Sequence, residues 1–397
     1  MTGTHHQKAT IVCHDNVVTA FVGGMDNNPL HLDSAPHNSR AVPAPAGGTV
    51  PWGWHDAGVR LVGGAAAEVW NNFADRWQEA CTLPPTTLLV RDSTDKVKKV
   101  PYTPPAPVGV GAPPTSPPPA ATADTSIQVL RSRYRTKLDR PGNRLPWLTR
   151  GGGEILEVFE TLGKAIDAAT RYIYIEDQFL GDHPVWPALG LANPAFWLVV
   201  DSLVDPRLPH FTLLPHILAA LNRNVRVIFV GSGYADPGDA FAGPKNLVLP
   251  PDLASLASVT TTPGNLAVWR LEGTTVHAKL MLIDDEFAAV GSANMNSRSM
   301  LGVDQELHTA VVTTGDLVKT LRVDLWREHL GIVASLPAVE SALGDLTLAL
   351  GMWRSAWSSG GMWFSSNNPA GYDPATMGPG SLRTRVVRAY VGPGTTP

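Results

Sequence analysis

The sequence predicts a mixed α/β protein. Helical and strand periodicities alternate along the chain, and one short polar motif occurs twice, each time beside a strand-like run. Composition agrees. Of 397 residues, 44% are hydrophobic and 17% charged, enough for a large core and too apolar for a disordered chain. The 37 glycines and 35 prolines mark many loops. Lys and Arg number 31 against 35 Asp and Glu, so the net charge of −4 offers no chain-wide grip on nucleic acid. Two cysteines cannot build a disulfide scaffold or a structural zinc site. No apolar run approaches the about 20 residues of a membrane span. The start, Met1-Thr2-Gly3-Thr4-His5-His6, does not read as a signal peptide.

The elements follow in order. Ala9 to Val12 and Val17 to Val22 read as strands, broken by Gly23-Gly24. Ala66, Val69, Trp70, Phe73 and Trp77 keep helical spacing. Residues 83–125 are dense in proline, which blocks helix and ladder alike, so a linker or long surface loop is expected there. Ile155, Val158, Phe159, Leu162 and Ile166 form a second helical face, and Arg171 to Ile175 a strand. A helix at Leu213 to Leu221 leads into a strand at Val225 to Val230. Strands return at Val276 to Ile283 and Ala288 to Val290. A helix from Leu317 to Leu330 stops at Gly331, a natural residue just past a helix end. The tail from Leu350, rich in Trp, Gly, Ser and Pro, receives no assignment. The expected regions are 1–82, 83–125, 126–340 and 341–397.

The stretch richest in chemistry is Val276-His277-Ala278-Lys279-Leu280-Met281-Leu282-Ile283-Asp284. On a strand, His277 and Lys279 share a face. An ammonium there holds a phosphate oxygen, while an imidazole attacks phosphorus or hands over a proton. Gly291-Ser292-Ala293-Asn294 follows, where small residues let backbone N–H groups and short side chains approach the same phosphate. His-x-Lys alone is commonplace; followed by Asp284 and Gly-Ser-x-Asn it is rare. An imperfect copy opens the chain: His6-Gln7-Lys8, then Phe21-Val22-Gly23-Gly24-Met25-Asp26. Two copies suggest an internal repeat with both at one site.

These residues resemble the phospholipase D superfamily, with its duplicated His-Lys-Asp motif. Further segments are similar to its eukaryotic-type branch: Trp54-His55-Asp56, Arg60 to Ala66, Phe73 to Trp77, Ser126 to Ser132, Tyr172 to Phe179 (with Asp177 where Asn is usual), Gly291 to Gly302 and Leu325 to Gly331. The resemblance implies two similar α/β/α halves around one active site, the first at 1–82 and the second at 126–340. It implies cleavage of a phospholipid headgroup phosphodiester through a phosphohistidine. His6 would be the nucleophile and His277 the acid and base. Lys8 and Lys279 would neutralise phosphate oxygens, Asp284 would support the motif histidine, and Asp26, Ser292, Asn294 and Glu306 would line the substrate. Glu306 sits where the family has a Glu that can pair with a motif histidine. No metal or cofactor is required, and no calcium-binding lipid module is visible. The expected partner is phospholipid at a membrane surface, with no nucleic acid and a monomeric chain. Transfer to an alcohol, or a catalytically impaired remnant, are the alternatives.

Two departures from the family pattern stand out. Cys13 occupies the place of the first-motif Asp, with Asp15 two residues late, and 15 residues separate Lys8 from Gly23 against 12 from Lys279 to Gly291. Either an insertion hands the role to Asp15, or Cys13 is a small buried hydrophobe. His6 also lies six residues from the start, so the first half is expected to be incomplete at its N-terminus. The strand bearing His6 and Lys8 would then have an open edge, and the isolated chain would be poorly stable. The chain would be cytoplasmic by default, and secreted if an upstream segment carries a leader. Glu176 reads as a surface carboxylate or a site neighbour, and His55-Asp56 as organisers of the loop after the first motif. Trp353, Trp357 and Trp363 offer a lipid-facing patch, with at least one expected in the core.

Overall fold

The computed structural model describes residues 5–28, 31–33, 41–43, 49–51, 53–82, 86–91, 97–103, 109–114, 124–133, 155–178, 213–232, 260–271, 274–300, 302, 304–330, 337–358 and 386–388. The chain divides into two compact units: residues 1–8, 22–59 and 122–397 form one, and 9–21 with 60–121 the other.

The smaller unit is built on a three-stranded sheet, in which β2 (Val17–Gly23) lies between β1 (Ala9–His14) and β6 (Gly58–Val62). The connection between β1 and β2 is a two-residue turn with positive φ at Asp15 (48°) and Asn16 (60°), the requirement of a type I′ hairpin. Helix α1 (Gly64–Thr82) follows the expected periodicity and buries Ala66 and Val69. The proline-dense stretch is not wholly irregular. Strands Thr86–Arg91 and Val97–Tyr102 pair antiparallel within it. The reason is local: residues 86–100 contain no proline, so the ladder finds its donors there. Cys13 is exposed rather than buried, and Cys13 and Cys81 are both free thiols.

The larger unit is organised by a nine-stranded mixed sheet. The sheet comprises β9 (Thr125–Arg133), β10 (Ile155–Leu156), β11 (Tyr172–Asp177), β12 (Arg226–Ser232), β13 (Leu266–Leu271), β15 (Lys279–Ile283), β16 (Phe287–Gly291), β17 (Glu306–Thr313) and β18 (Val386–Arg388). Their order is β10-β9-β17-β16-β15-β11-β12-β13-β18. Strands β11, β12 and β13 are parallel, and the remaining pairs antiparallel. All six residues of β11 are buried. Ile173 and Ile175 point into one apolar cluster with Val158, Leu162 and Ile166 of α2 (Glu157–Ala168) and Ile217 and Leu221 of α3 (Leu214–Asn222). Tyr172 and Tyr174 point into the other, with Val318 and Trp326 of α5 (Leu317–His329) and Trp353 of α7 (Leu346–Ser358). The strand period of two therefore loads both faces, and helices cover both, an α/β/α layering of this unit.

Trp353 is core, packed against Trp269, Trp326 and Tyr174. The side chain of Trp357, and Trp363 entirely, lie outside the described residues. Strand β17, missed in the periodicity reading, is the neighbour of β16. Four of its eight residues are buried and polar, namely Glu306, His308, Thr309 and Thr313, and these hide its alternation.

Candidate active site

Every residue of the candidate site belongs to the larger unit. Its two histidines enter in the same way, just ahead of a hairpin strand. His277 lies between the short strand β14 (Thr275–Val276) and β15; His6 precedes β1. Strand β14 pairs in parallel with β5 (Trp54–His55), and the His55 carbonyl accepts hydrogen bonds from the N–H groups of His277 (2.8 Å) and Ala278 (3.0 Å). The next residue, Asp56, accepts a hydrogen bond from His277 Nδ1 at 2.8 Å. Trp54 lies against the His277 ring with centroids 4.0 Å apart, and His31 stacks on Trp54. His277 thus has its backbone, its Nδ1 and its ring plane fixed by three consecutive residues.

His6 is held by Glu306, whose oxygens lie 2.9 and 3.0 Å from its Nδ1. The His6 N–H donates to the Gln305 carbonyl, and Gln7 Nε2 to the Glu306 carbonyl. Each imidazole therefore has a carboxylate on Nδ1, which keeps a proton there and leaves Nε2 for chemistry. Lys8 pairs with Asp26 at 3.5 Å. Lys279 is fully buried and its Nζ donates to the His277 carbonyl.

The electrostatics follow from burial. Burial, with the charges of Lys279, Lys8 and His6, holds the His277 pKa well below the usual imidazole value. Burial likewise brings Lys279 down to about 8, against the pull of Asp56 and Asp177. It lifts Asp56 to about 6, with Lys279 opposing. His277 is consequently neutral in the free site at neutral pH, beside a cluster of positive charge that attracts an anion.

The predicted residues sort clearly. Both motif pairs, Asp26 and Glu306 come together. Ser292 and Glu306, expected to line the substrate, are hydrogen-bonded to each other, and Glu306 also to His6. The Ser292 hydroxyl donates to Glu306 (2.6 Å), as does that of Ser299 (2.6 Å), so both serines orient the carboxylate that holds His6. Asn294 is buried, and its Oδ1 has no partner among the described residues. Asp284 is not at the site. It sits at positive φ in the turn after β15, where its carboxylate accepts from the N–H groups of Thr170, Arg171 and Tyr172 and from the Thr170 hydroxyl at 2.7–2.9 Å. It ties the hairpin tip to the start of β11. Five residues after Lys279 the strand has carried the chain away from the histidine, at roughly 3.3 Å per residue. Asp15 holds the matching place in the first hairpin, at its exposed tip beside His14.

Sequence reasoning missed Asp56 as the partner of His277. It also missed a buried cluster beneath it. Glu176 of β11 is fully buried, not a surface carboxylate, and accepts hydrogen bonds from His55 Nε2 (2.8 Å), His329 Nε2 (2.8 Å) and the Tyr174 hydroxyl. His55 Nδ1 faces Glu328 at 3.2 Å. Burial opposes charge on His55 and Glu176, but each outweighs it for the other. The His55 pKa is raised well above its usual value, and the carboxyl of Glu176 is held far below its own. Donor atoms of His55, Glu176 and His329 lie within 4.8 Å of one another, the one grouping among the described residues with the spacing of a cation site. Each of those donors is already engaged in hydrogen bonds within the cluster.

The phospholipase D family model matches residues 255–342, which span the second His-x-Lys, the Gly-Ser-x-Asn segment and α5. Among curated relatives, phospholipase D alpha 2 of Oryza sativa subsp. japonica is 26% identical over 415 residues, covering 83% of this chain and 49% of its own length. Phospholipase D alpha 4 of Arabidopsis thaliana is 26% identical over 355 residues, covering 76% of this chain and 43% of its own. The chain thus spans about half the length of the curated relatives it matches. A solved structure of phosphatidylserine synthase from Haemophilus influenzae Rd KW20 is similar at a TM-score of 0.43 and 13% identity, over 88% of this chain and 70% of that one. The family model covers the second motif and the relatives align with most of the chain, and together they support the phospholipase D superfamily, in its eukaryotic-type branch, as the family this chain is similar to.

Proposed function

We propose that the protein is a phosphodiesterase that cleaves the headgroup ester of a glycerophospholipid at a membrane surface. The observation that carries this reading is the pair of imidazole–carboxylate couples, His6–Glu306 and His277–Asp56, with Lys8 and Lys279 beside them. Glu306 keeps the proton on His6 Nδ1, so the Nε2 lone pair attacks phosphorus. A P–N bond forms, and the P–O bond to the headgroup breaks. The departing alkoxide takes the proton of His277 Nε2. Lys8 and Lys279 offset the charge on the equatorial oxygens, and the Asn294 amide offers a further donor. His277 then takes a proton from water, whose oxygen attacks phosphorus and releases His6. An alcohol in place of water gives transfer instead of hydrolysis.

Within this scheme His277 must be protonated when it acts as acid, although it is neutral in the free site. The bound phosphodiester supplies the negative charge that restores its proton. That neutrality also favours a second reading, in which His277 attacks and His6 supplies the acid. Alkaline quenching during turnover, followed by peptide mapping of the phosphohistidine, separates the two. Label on the His6 peptide is expected; label on His277 reverses the roles. The activity itself is tested by choline release from phosphatidylcholine vesicles with and without ethanol. Choline in both arms, with phosphatidylethanol in the second, is expected. Well-folded protein that releases neither would sink the proposal. Among the described residues no helix is long and apolar enough to cross a membrane, and the scheme needs only contact with a lipid surface.

A further inference from the structure

We propose that Glu176, His55 and His329 are positioning residues: a buried ionic clamp that fastens β5 so that Asp56 and the His55 carbonyl hold His277 in its working geometry. The inference rests on the reading of His277 as a catalytic imidazole.

Three observations lead to it. First, His55 has a carboxylate on each ring nitrogen, Glu176 at Nε2 and Glu328 at Nδ1, from two different elements, β11 and α5. A ring that donates from both nitrogens carries both protons, so the contact is an ion pair. Second, β5 and β14 pair over only two residues each. So short a ladder cannot fix a loop unaided. Yet everything that holds His277 hangs on residues 54–56: the stacked Trp54, the His55 carbonyl and the Asp56 carboxylate. Third, the clamp is rooted in the most buried part of the unit. Glu176 and His329 have zero exposure, and Tyr174, which also donates to Glu176, packs on Trp326 and Trp353. Apolar residues of similar volume often serve a core at least as well as a buried ion pair. Stability alone is a weak reason for this cluster, whereas holding β5 in one register is a sufficient one.

The test uses the full chain with two variants. The first replaces the cluster by apolar residues, Glu176→Leu with His55→Leu and His329→Leu. The second is Glu176→Gln, which keeps the volume and removes the charge. Three quantities are read: the melting temperature, kcat and KM on a short-chain phosphatidylcholine, and the downfield proton resonance of His277 Nδ1–H, identified by its loss in Asp56→Asn. The clamp predicts that the apolar variant keeps its melting temperature but loses the resonance. Its kcat should fall roughly 10- to 100-fold with KM little changed, as expected when a reacting group is slightly misplaced. Glu176→Gln should shift both signals the same way and serves alone if the apolar variant does not fold. A folded variant of either kind with intact resonance and kcat overturns the clamp, as does a stoichiometric metal ion in the purified wild-type protein. If the wild type turns over no phosphodiester but the resonance responds as described, the catalytic reading fails and the clamp stands.

Discussion

Asp56 and Asp284 divide between them two tasks that the motif assigns to Asp284 alone. Asp56 accepts the Nδ1 proton of His277, while Asp284 gathers three backbone N–H groups and a hydroxyl at the head of β11. Their amides should therefore fail differently. Asp56→Asn should lower kcat by roughly 10²- to 10⁴-fold, as His277→Ala should, with the melting temperature nearly kept. Asp284→Asn sets an amide N–H₂ against backbone donors and should cost about 1–3 kcal/mol of stability, with kcat per folded molecule little changed. Parallel thermal melts and initial rates read both. His277 also makes anion binding depend on pH. Its pKa lies low because burial and Lys279, Lys8 and His6 disfavour the imidazolium, and a bound oxyanion raises it. Between those two values the complex holds more protons than the free protein, so affinity rises as pH falls, by up to about tenfold per unit for one proton. Calorimetry of tungstate binding near pH 6, in buffers of different ionisation heat, should show proton uptake. Heat that does not change with buffer would show that His277 stays neutral.

The hairpins are the repeated element. Both turns place two consecutive Asp or Asn residues at positive φ, Asp15-Asn16 and Asp284-Asp285, and both returning strands end in glycine, Gly23 and Gly291. Gly291 is packed on the neighbouring strand, and Gly24, the residue after β2, on site atoms. A Cβ on Gly291 would stand 2.4 Å from the His308 Cα, so Gly291→Ala must part β16 from β17. A Cβ on Gly24 would stand 2.2 Å from Asp56 Oδ1 and 2.7 Å from the His277 carbonyl. Gly291→Ala should mainly lower the melting temperature, and Gly24→Ala should mainly lower kcat. Equal loss of both in the two variants would contradict this division. The hairpins were legible because their chemistry is local: His-x-Lys and its glycines lie within one supersecondary unit. The pairs that complete the site were not. Asp56 and His277 lie 221 residues apart, His55 and Glu176 121, and His329 and Glu176 153. No periodicity reports contacts at that separation. Strand β17 was hidden for a related reason, because Glu306 serves the site and His308 is buried as a neutral imidazole, its pKa pulled down to about 3 by burial. The layered class was legible, since α2, β11, α3 and α5 form where the apolar spacing places them.

For the molecule as a whole, the larger unit stands on one sheet whose two faces do different work. One face is sealed by aliphatic helices. The other carries the aromatic group of Tyr174, Trp269, Trp326 and Trp353, on which the Glu176 cluster rests. Trp353 comes from α7, in the region whose tail had no assignment, and it is 2% exposed. Trp353→Ala should therefore cost about 3–5 kcal/mol and lower the melting temperature by on the order of 10 °C. A shift of only a degree or two would mean that α7 adds little to the core.

The two hairpin tips are anchored very unequally. The tip at Asp284-Asp285 is bolted to the start of β11 through four hydrogen bonds to the Asp284 carboxylate, and to α5 through the Asp285–Arg322 ion pair. The tip at Asp15-Asn16 stands in solvent, the Asp15 side chain 86% exposed. Copies of one device have thus become a buried, bolted end and a solvent-exposed one. A peptide tag or fluorescent module spliced between Asp15 and Asn16 should be accommodated, because strand ends and glycines keep their places while the chain simply loops out. The same cargo between Asp284 and Asp285 should prevent folding.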